Sequence, residues 1–266
     1  MRILAITNLK GGVGKTTTAV NLAAGLARKL EPHDQRVLLI DLDSQVEASS
    51  AAWLGVRDES RDFLDVLEGR GEMVDLVRMT AVEGLDLIPG SEALSKAEVS
   101  LANEPGAQSV LRSHVRSLPD FWKVAIIDMP PTQGFLMYSG LAAATDVLLA
   151  IESGAMALGS LVGLHRVVSK VRERLNPELN LFGALQCRAD PRTRLYNEVD
   201  QLLQEQFPDE ALRTIIRSDV KLLEAPGHRQ DIFRYAPRSR AAMDFKKLAK
   251  EVGQRLELEA FGKPKN

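Results

Sequence analysis

Lys10-Gly11-Gly12-Val13-Gly14-Lys15-Thr16-Thr17 stands between an apolar run, Ile3-Leu4-Ala5-Ile6-Thr7, and a helically patterned stretch starting near Thr16. A strand, a glycine-rich turn and a helix in that order build a cradle for phosphate. Glycines let backbone N–H groups turn inward around phosphate oxygens, and the helix N-terminus adds partial positive charge. On this reading Gly11, Gly12, Val13 and Gly14 supply the cradle. Lys15 reaches the β- and γ-phosphates, the Thr16 hydroxyl ligates Mg²⁺, and Thr17 completes the phosphate-binding run. The ordinary motif has a further glycine five residues before Gly14, where this chain has Leu9 followed by Lys10.

Lys10 needs a separate explanation. A second ammonium packed beside Lys15 on one nucleotide would repel it. Lys10 makes sense if it points away and meets the phosphates of a second subunit, acting in trans as arginine fingers do. With both lysines the segment resembles KGGVGKT, the signature of the deviant Walker ATPases. That resemblance implies ATP as cofactor, catalytic roles for Lys10 and Lys15, and a homodimer closed face to face around two nucleotides.

The chain of 266 residues is 45% hydrophobic and 26% charged, as expected of a soluble globular protein able to bury its own core. A lone cysteine, Cys187, cannot form an internal disulfide and points to a reducing cytosol. With the P-loop starting at residue 10, neither a secretory signal nor an operator-binding domain is expected ahead of it. The most apolar stretch, 141–164, is interrupted by Asp146 and Glu152 and reads as helix end, buried strand and second helix, not as a membrane span. The net charge of −2 hides an asymmetry: residues 211–247 hold nine Lys or Arg against four Asp or Glu. That imbalance is compatible with one basic face.

Strands are expected at 2–7, 36–41, 85–88, 123–128, 146–151, 181–186 and 212–216. Several are unbroken Val, Ile and Leu runs, as parallel strands covered on both faces require. Helical patterns at 17–30, 105–118, 160–175, 195–206 and 241–258 lie between or after them. The alternation predicts an α/β fold: a doubly wound, mostly parallel sheet with helices on both faces, in one domain over 1–260 with a short frayed tail at 261–266. Ligands on such sheets sit at the carboxyl ends of strands, where the P-loop begins.

Two strands end in carboxylates: Val37-Leu38-Leu39-Ile40-Asp41-Leu42-Asp43 and Val124-Ala125-Ile126-Ile127-Asp128. An aspartate that deep is costly without a cation or hydrogen-bond donors. Mg²⁺ bound through water answers that cost for Asp128. Asp43 projects farther out, where it can orient or deprotonate the attacking water. Asp41 belongs either to the metal shell or to the scaffold of the P-loop.

The resemblance then widens. Asp41-Leu42-Asp43-Ser44-Gln45 is similar to the DxDPQ segment of the ParA family, and Asp128-Met129-Pro130-Pro131 to its D-x-P-P. Leu85-Asp86-Leu87-Ile88-Pro89, Glu224-Ala225-Pro226 and Pro237-Arg238-Ser239-Arg240 resemble its LDLIP, EAP and PRSR segments, so the likeness runs from Arg2 to about Val252. It implies a partition ATPase whose ATP-bound dimer binds DNA without sequence preference. Hydrolysis would be stimulated by a ParB-like or other adaptor, in the cytoplasm on the nucleoid. By motif position Arg192 and Arg217 correspond to DNA-contacting residues, with Lys221 and Arg240 as further candidates. Ser44 replaces the usual proline, and Val46-Glu47 the usual Gly-Asn. Ile215-Ile216-Arg217 stands where the family has I-P-R, which places Ile216 beside the base, with Arg188 able to stack on the ring through its planar guanidinium.

Two other classes compete. A MinD-like membrane-associated ATPase needs a terminal amphipathic helix. Phe245, Leu248, Val252 and Leu256 do form a stripe, but Asp244, Glu251, Glu257 and Glu259 cancel Lys246, Lys247, Lys250 and Arg255, and the stripe reads better as packed on the sheet, so no membrane is expected. A small-molecule ATP-dependent synthetase on the same fold leaves no simple motif, and the EAP and PRSR segments tell against it. One cysteine and three tyrosines do not suit a cluster-sharing iron protein or a tyrosine kinase with a tyrosine-rich tail.

Overall fold

The computed structural model describes residues 1–44, 50–56, 63–152 and 157–262. Its strands are β1 (Arg2–Thr7), β2 (Arg36–Asp41), β3 (Arg78–Met79), β4 (Leu85–Ile88), β5 (Trp122–Asp128), β6 (Asp146–Glu152) and β7 (Asn180–Cys187). They form one sheet in the order β3-β4-β2-β5-β1-β6-β7, parallel except for β3, which pairs antiparallel with β4. The helices are α1 (Lys15–Leu30), α2 (Ser50–Leu54), α3 (Phe63–Leu67), α4 (Leu94–Ser100), α5 (Val110–Arg116) and α6 (Phe135–Ala143). They continue with α7 (Ala157–Arg174), α8 (Arg194–Gln206), α9 (Lys221–Glu224), α10 (Ile232–Tyr235) and α11 (Arg240–Arg255).

The unbroken apolar strands have two faces to fill, and the period of two along each strand divides them. Ile3, Ala5, Leu38, Ile40, Ala125 and Ile127 pack with Phe63, Leu94, Leu111, Leu136 and Leu164 of the helices α3 to α7. Their neighbours Leu4, Ile6, Val37, Leu39, Val124 and Ile126 pack on the other face with Leu22 and Leu26 of α1 and Phe245 and Leu248 of α11. The apolar stripe of the last helix is therefore core. Among the described residues, no helix is long and apolar enough to cross a membrane.

Three expectations are corrected. Residues 212–216 are not a ladder strand. They run beside β7 with isolated bridges at Ala184↔Ala211 and Ala189↔Arg217. The amides of Arg213 and Thr214 are instead taken by the two carboxylate oxygens of Glu251, each at 2.9 Å, which interrupts the ladder. The helix expected over 105–118 begins as a 3₁₀ turn, Ala107–Ser109, and is α-helical only in α5, because Gly106 at φ 80° turns the chain first. The two-residue edge strand β3 is too short to show any alternation in sequence. At the C-terminus Phe261 packs against Gly253 and belongs to the fold, while 263–266 of the expected tail lie outside the described residues.

Register is what assembles the site. Asp41 at the end of β2 pairs directly with Asp128 at the end of β5, and Ile6, one residue before the end of β1, pairs with the same Asp128. The acidic strand ends and the start of the P-loop thus share one edge of the sheet.

Candidate nucleotide site

The loop leaves β1 at Thr7 and enters α1 at Lys15 through Gly14, whose φ of 102° is open to glycine and strained for other residues. Gly12 turns the loop at φ 74°. Asn8 pins it from inside. Its side-chain amide donates to the Ala150 carbonyl on β6, and its oxygen accepts from the Lys10 amide at 2.9 Å. Leu9, where the ordinary motif has glycine, is half-buried and lies against Gly163 of α7, where a side chain would crowd it.

The two lysines occupy opposite environments. Lys15 is 6% exposed and folds back so that its Nζ donates to the Lys10 carbonyl at 3.3 Å. Burial pushes its pKa down, and the charges of Asp128 and Asp43 pull it back up. The Lys10 side chain is 50% exposed, and its Nζ lies 2.7 Å from Glu152 Oε2.

Asp128 is fully buried, and among the described residues neither of its oxygens has a hydrogen-bond partner. The Thr16 hydroxyl favours its charged form without meeting hydrogen-bond geometry, and Lys15 helps, yet burial first and the charge of Asp41 second hold its pKa well above the carboxylate range. An orphaned carboxylate beside a threonine hydroxyl and an ammonium fits a divalent cation bound to phosphates. Mg²⁺ keeps waters and substrate oxygens and needs few protein ligands. Among the described residues no group of three or more His, Cys, Asp or Glu forms a metal cage.

Asp41 is buried too, but both its oxygens are in use. Oδ1 accepts from the Asp43 amide at 3.0 Å and Oδ2 from the Ser50 amide at 2.9 Å. Burial, opposed by those amides, raises its pKa to about 6. Of the two readings open to Asp41, this geometry favours a scaffold, here of the loop that carries Asp43, over the metal shell. Gly90, after β4, closes on the same loop. A Cβ there would stand 2.5 Å from the Asp43 carbonyl, so no larger residue fits without moving the acidic segment. Ser44 is described, whereas Gln45, Val46 and Glu47 lie outside the described residues.

Beside the loop is a cavity of 310 Å³ lined in part by Gly12, Thr18, Cys187, Arg188, Ile216 and Leu222. It brings Arg188 and Ile216 to the P-loop as expected for a base pocket. The Arg188 guanidinium lies across the loop, donating to the Gly12 carbonyl at 3.1 Å and standing 3.3 Å from Glu152 Oε1. Cys187 lines the cavity with a buried thiol raised by desolvation to about 11, hence inert as a nucleophile.

The four basic candidates differ. Arg217 donates through Nε and Nη2 to both oxygens of buried Asp244, at 2.8 and 2.6 Å, and is a structural clamp on α11. Arg192 is paired with Asp190 yet its side chain is 88% exposed. Arg240 is exposed at the start of α11 and its charge reaches the same Asp190. Lys221 opens α9, tied to Glu224. The Lys221 and Ala241 amides both donate to Asp219, which joins the starts of α9 and α11. Arg192, Lys221 and Arg240 thus border one rim.

Sequence reasoning missed Asn8, Ser50, Gly90 and Glu152. Glu152 ends an apolar strand as Asp41 and Asp128 do, and the same rule applied to β6 would have found it. Asn8 and Gly90 carry no signal outside the folded loop.

A family model described as an AAA domain matches residues 1–181. The chain is 39% identical to the chromosome-partitioning ATPase Soj of Thermus thermophilus, over 97% of each chain. It is 37% identical to the sporulation initiation inhibitor protein Soj of Bacillus subtilis, over 94% of this chain and 98% of that one. Among solved structures, the cobyrinic acid a,c-diamide synthase of Mycobacterium smegmatis with bound ATP analog and magnesium superposes with a TM-score of 0.80 at 30% identity, covering 94% of this chain and 92% of that one. Relatives matched end to end, a parallel sheet with the acidic strand ends at the loop, and the paired lysines converge: the chain belongs to the ParA/Soj family of partition ATPases.

Proposed function

We propose that the protein is a switch that dimerises on binding ATP, rides on DNA without sequence preference, and positions a cargo until an adaptor triggers hydrolysis. It is an ATPase, with ATP and Mg²⁺ as its cofactors. The observation that carries the switch is the separation of the two lysines: Lys15 is buried and folded back on the loop, while Lys10 is half exposed. In this reading Thr16 and Asp128 hold Mg²⁺, which neutralises phosphate charge when bound. Lys15 and the loop amides orient the triphosphate. Asp43, whose backbone N–H donates to the Asp41 carboxylate, orients the attacking water and accepts its proton. Lys10 supplies positive charge to the partner's phosphates.

Arg192, Lys221 and Arg240 form the DNA-facing rim in this reading, through phosphate contacts that need no base-reading helix. Cytoplasmic, nucleoid-associated localisation follows from that. Nonspecific DNA and an adaptor of the ParB kind are the partners. The likeness to the synthase supports a competing reading, an ATP-dependent small-molecule synthetase.

The test is light scattering and nucleotide titration. Lys15→Ala abolishes nucleotide binding. Lys10→Ala keeps monomeric binding and loses the ATP dimer. A normal ATP dimer in Lys10→Ala overturns the in-trans role. Hydrolysis indifferent to nonspecific DNA, with no DNA binding by the dimer, favours the synthetase.

A further inference from the structure

Glu152, the last residue of β6, does two things at once. One oxygen pairs with Lys10 at 2.7 Å and the other with Arg188 at 3.3 Å. The carboxylate thereby bridges two cations on either side of the P-loop mouth. The loop backbone does not depend on this bridge. Asn8 already holds the Lys10 amide and Lys15 holds the Lys10 carbonyl. What Glu152 adds is control of the Lys10 side chain.

We propose that Glu152 is the positioning residue for Lys10: it holds the outward lysine against its own subunit and so sets the protein concentration at which the ATP dimer forms. This rests on the in-trans role of Lys10. A partner's triphosphate approaching this face meets a lysine already paired and a carboxylate of its own sign. Both effects oppose closure. Replacing the carboxylate by an amide of the same shape removes the repulsion and loosens the lysine. The Glu152 side chain is 25% exposed, so each copy is worth no more than a surface ion pair. A two-fold dimer uses two copies, and their effects multiply.

The experiment measures dimerisation against protein concentration by sedimentation, with Mg²⁺ and a non-hydrolysable ATP analogue, in the parent, Glu152→Gln and Lys10→Ala. Glu152→Gln is expected to tighten the dimer about two- to twenty-fold. Monomeric nucleotide affinity is the control and stays within about two-fold of the parent. The gain shrinks as salt is added, which a change in packing alone would not produce. If Lys10→Ala loses the dimer while Glu152→Gln leaves it unchanged or weaker, the role of Glu152 is overturned and that of Lys10 stands. If Lys10→Ala dimerises normally, the in-trans reading itself falls.

Discussion

Asp146 and Asp128 are residues of the same type, both 0% exposed, on the two strands that flank β1. Asp146 opens β6 at one end of the sheet and Asp128 closes β5 at the other. Asp146 accepts from Arg2 at 2.9 Å, Asn180 at 3.0 Å and Thr145 at 2.6 Å. Asp128 accepts from none among the described residues. Ionised carboxylates cost several kcal/mol to bury unless paired. One end of the sheet offsets that cost within the chain, and the other, in the function proposed above, would leave it for a cation to offset. Stability and function are thus divided along the strand direction.

The largest test of this division compares two substitutions. Asp146→Ala, which removes the partner of Arg2 and Asn180, is expected to lower the unfolding free energy by about 1–3 kcal/mol in chemical denaturation. Asp128→Ala in the nucleotide-free protein is expected to cost far less, because it removes an unsatisfied group, and to abolish stabilisation by Mg²⁺ with ATP. Equal losses would break the comparison.

Next in size, Asp43→Ala is expected to slow hydrolysis about 100-fold while ATP affinity stays within about two-fold of the parent. Unimpaired turnover would transfer the role to another group. A smaller effect is expected from pH. The folded pKa of Asp41, about 6, exceeds the ordinary 3.8, so between those values the folded state binds more protons than the unfolded one. Stability of the nucleotide-free protein therefore falls as pH rises through that window, by on the order of 1 kcal/mol. Thermal midpoints at the two ends check it, and a midpoint that rises with pH there would contradict it. Smallest is the rim. Arg192→Glu is expected to weaken DNA binding several-fold and reduce the salt slope by about 1. Arg217→Glu instead leaves buried Asp244 facing a like charge and shows itself as lost stability.

Much of this was legible before folding. The phosphate loop, the acidic strand ends and the parallel order follow from local spacing and apolar runs, which hold because both sheet faces are buried. What escaped depends on contacts distant in sequence. Nothing local in Arg213 and Thr214 announces that Glu251 takes their amides. Arg217 looks like any basic residue until Asp244 is placed beside it. Asp41 and Asp128 read alike as strand-terminal acids, and only the fold gives one a pair of amides and the other none.

The strap at 211–217 has one more consequence. Exposed sheet rims invite neighbouring chains to add strands, the route to fibrillar aggregation. Here one rim is a two-residue strand and the other runs beside a segment whose amides are partly diverted to Glu251. Both rims are therefore poor templates for strand recruitment.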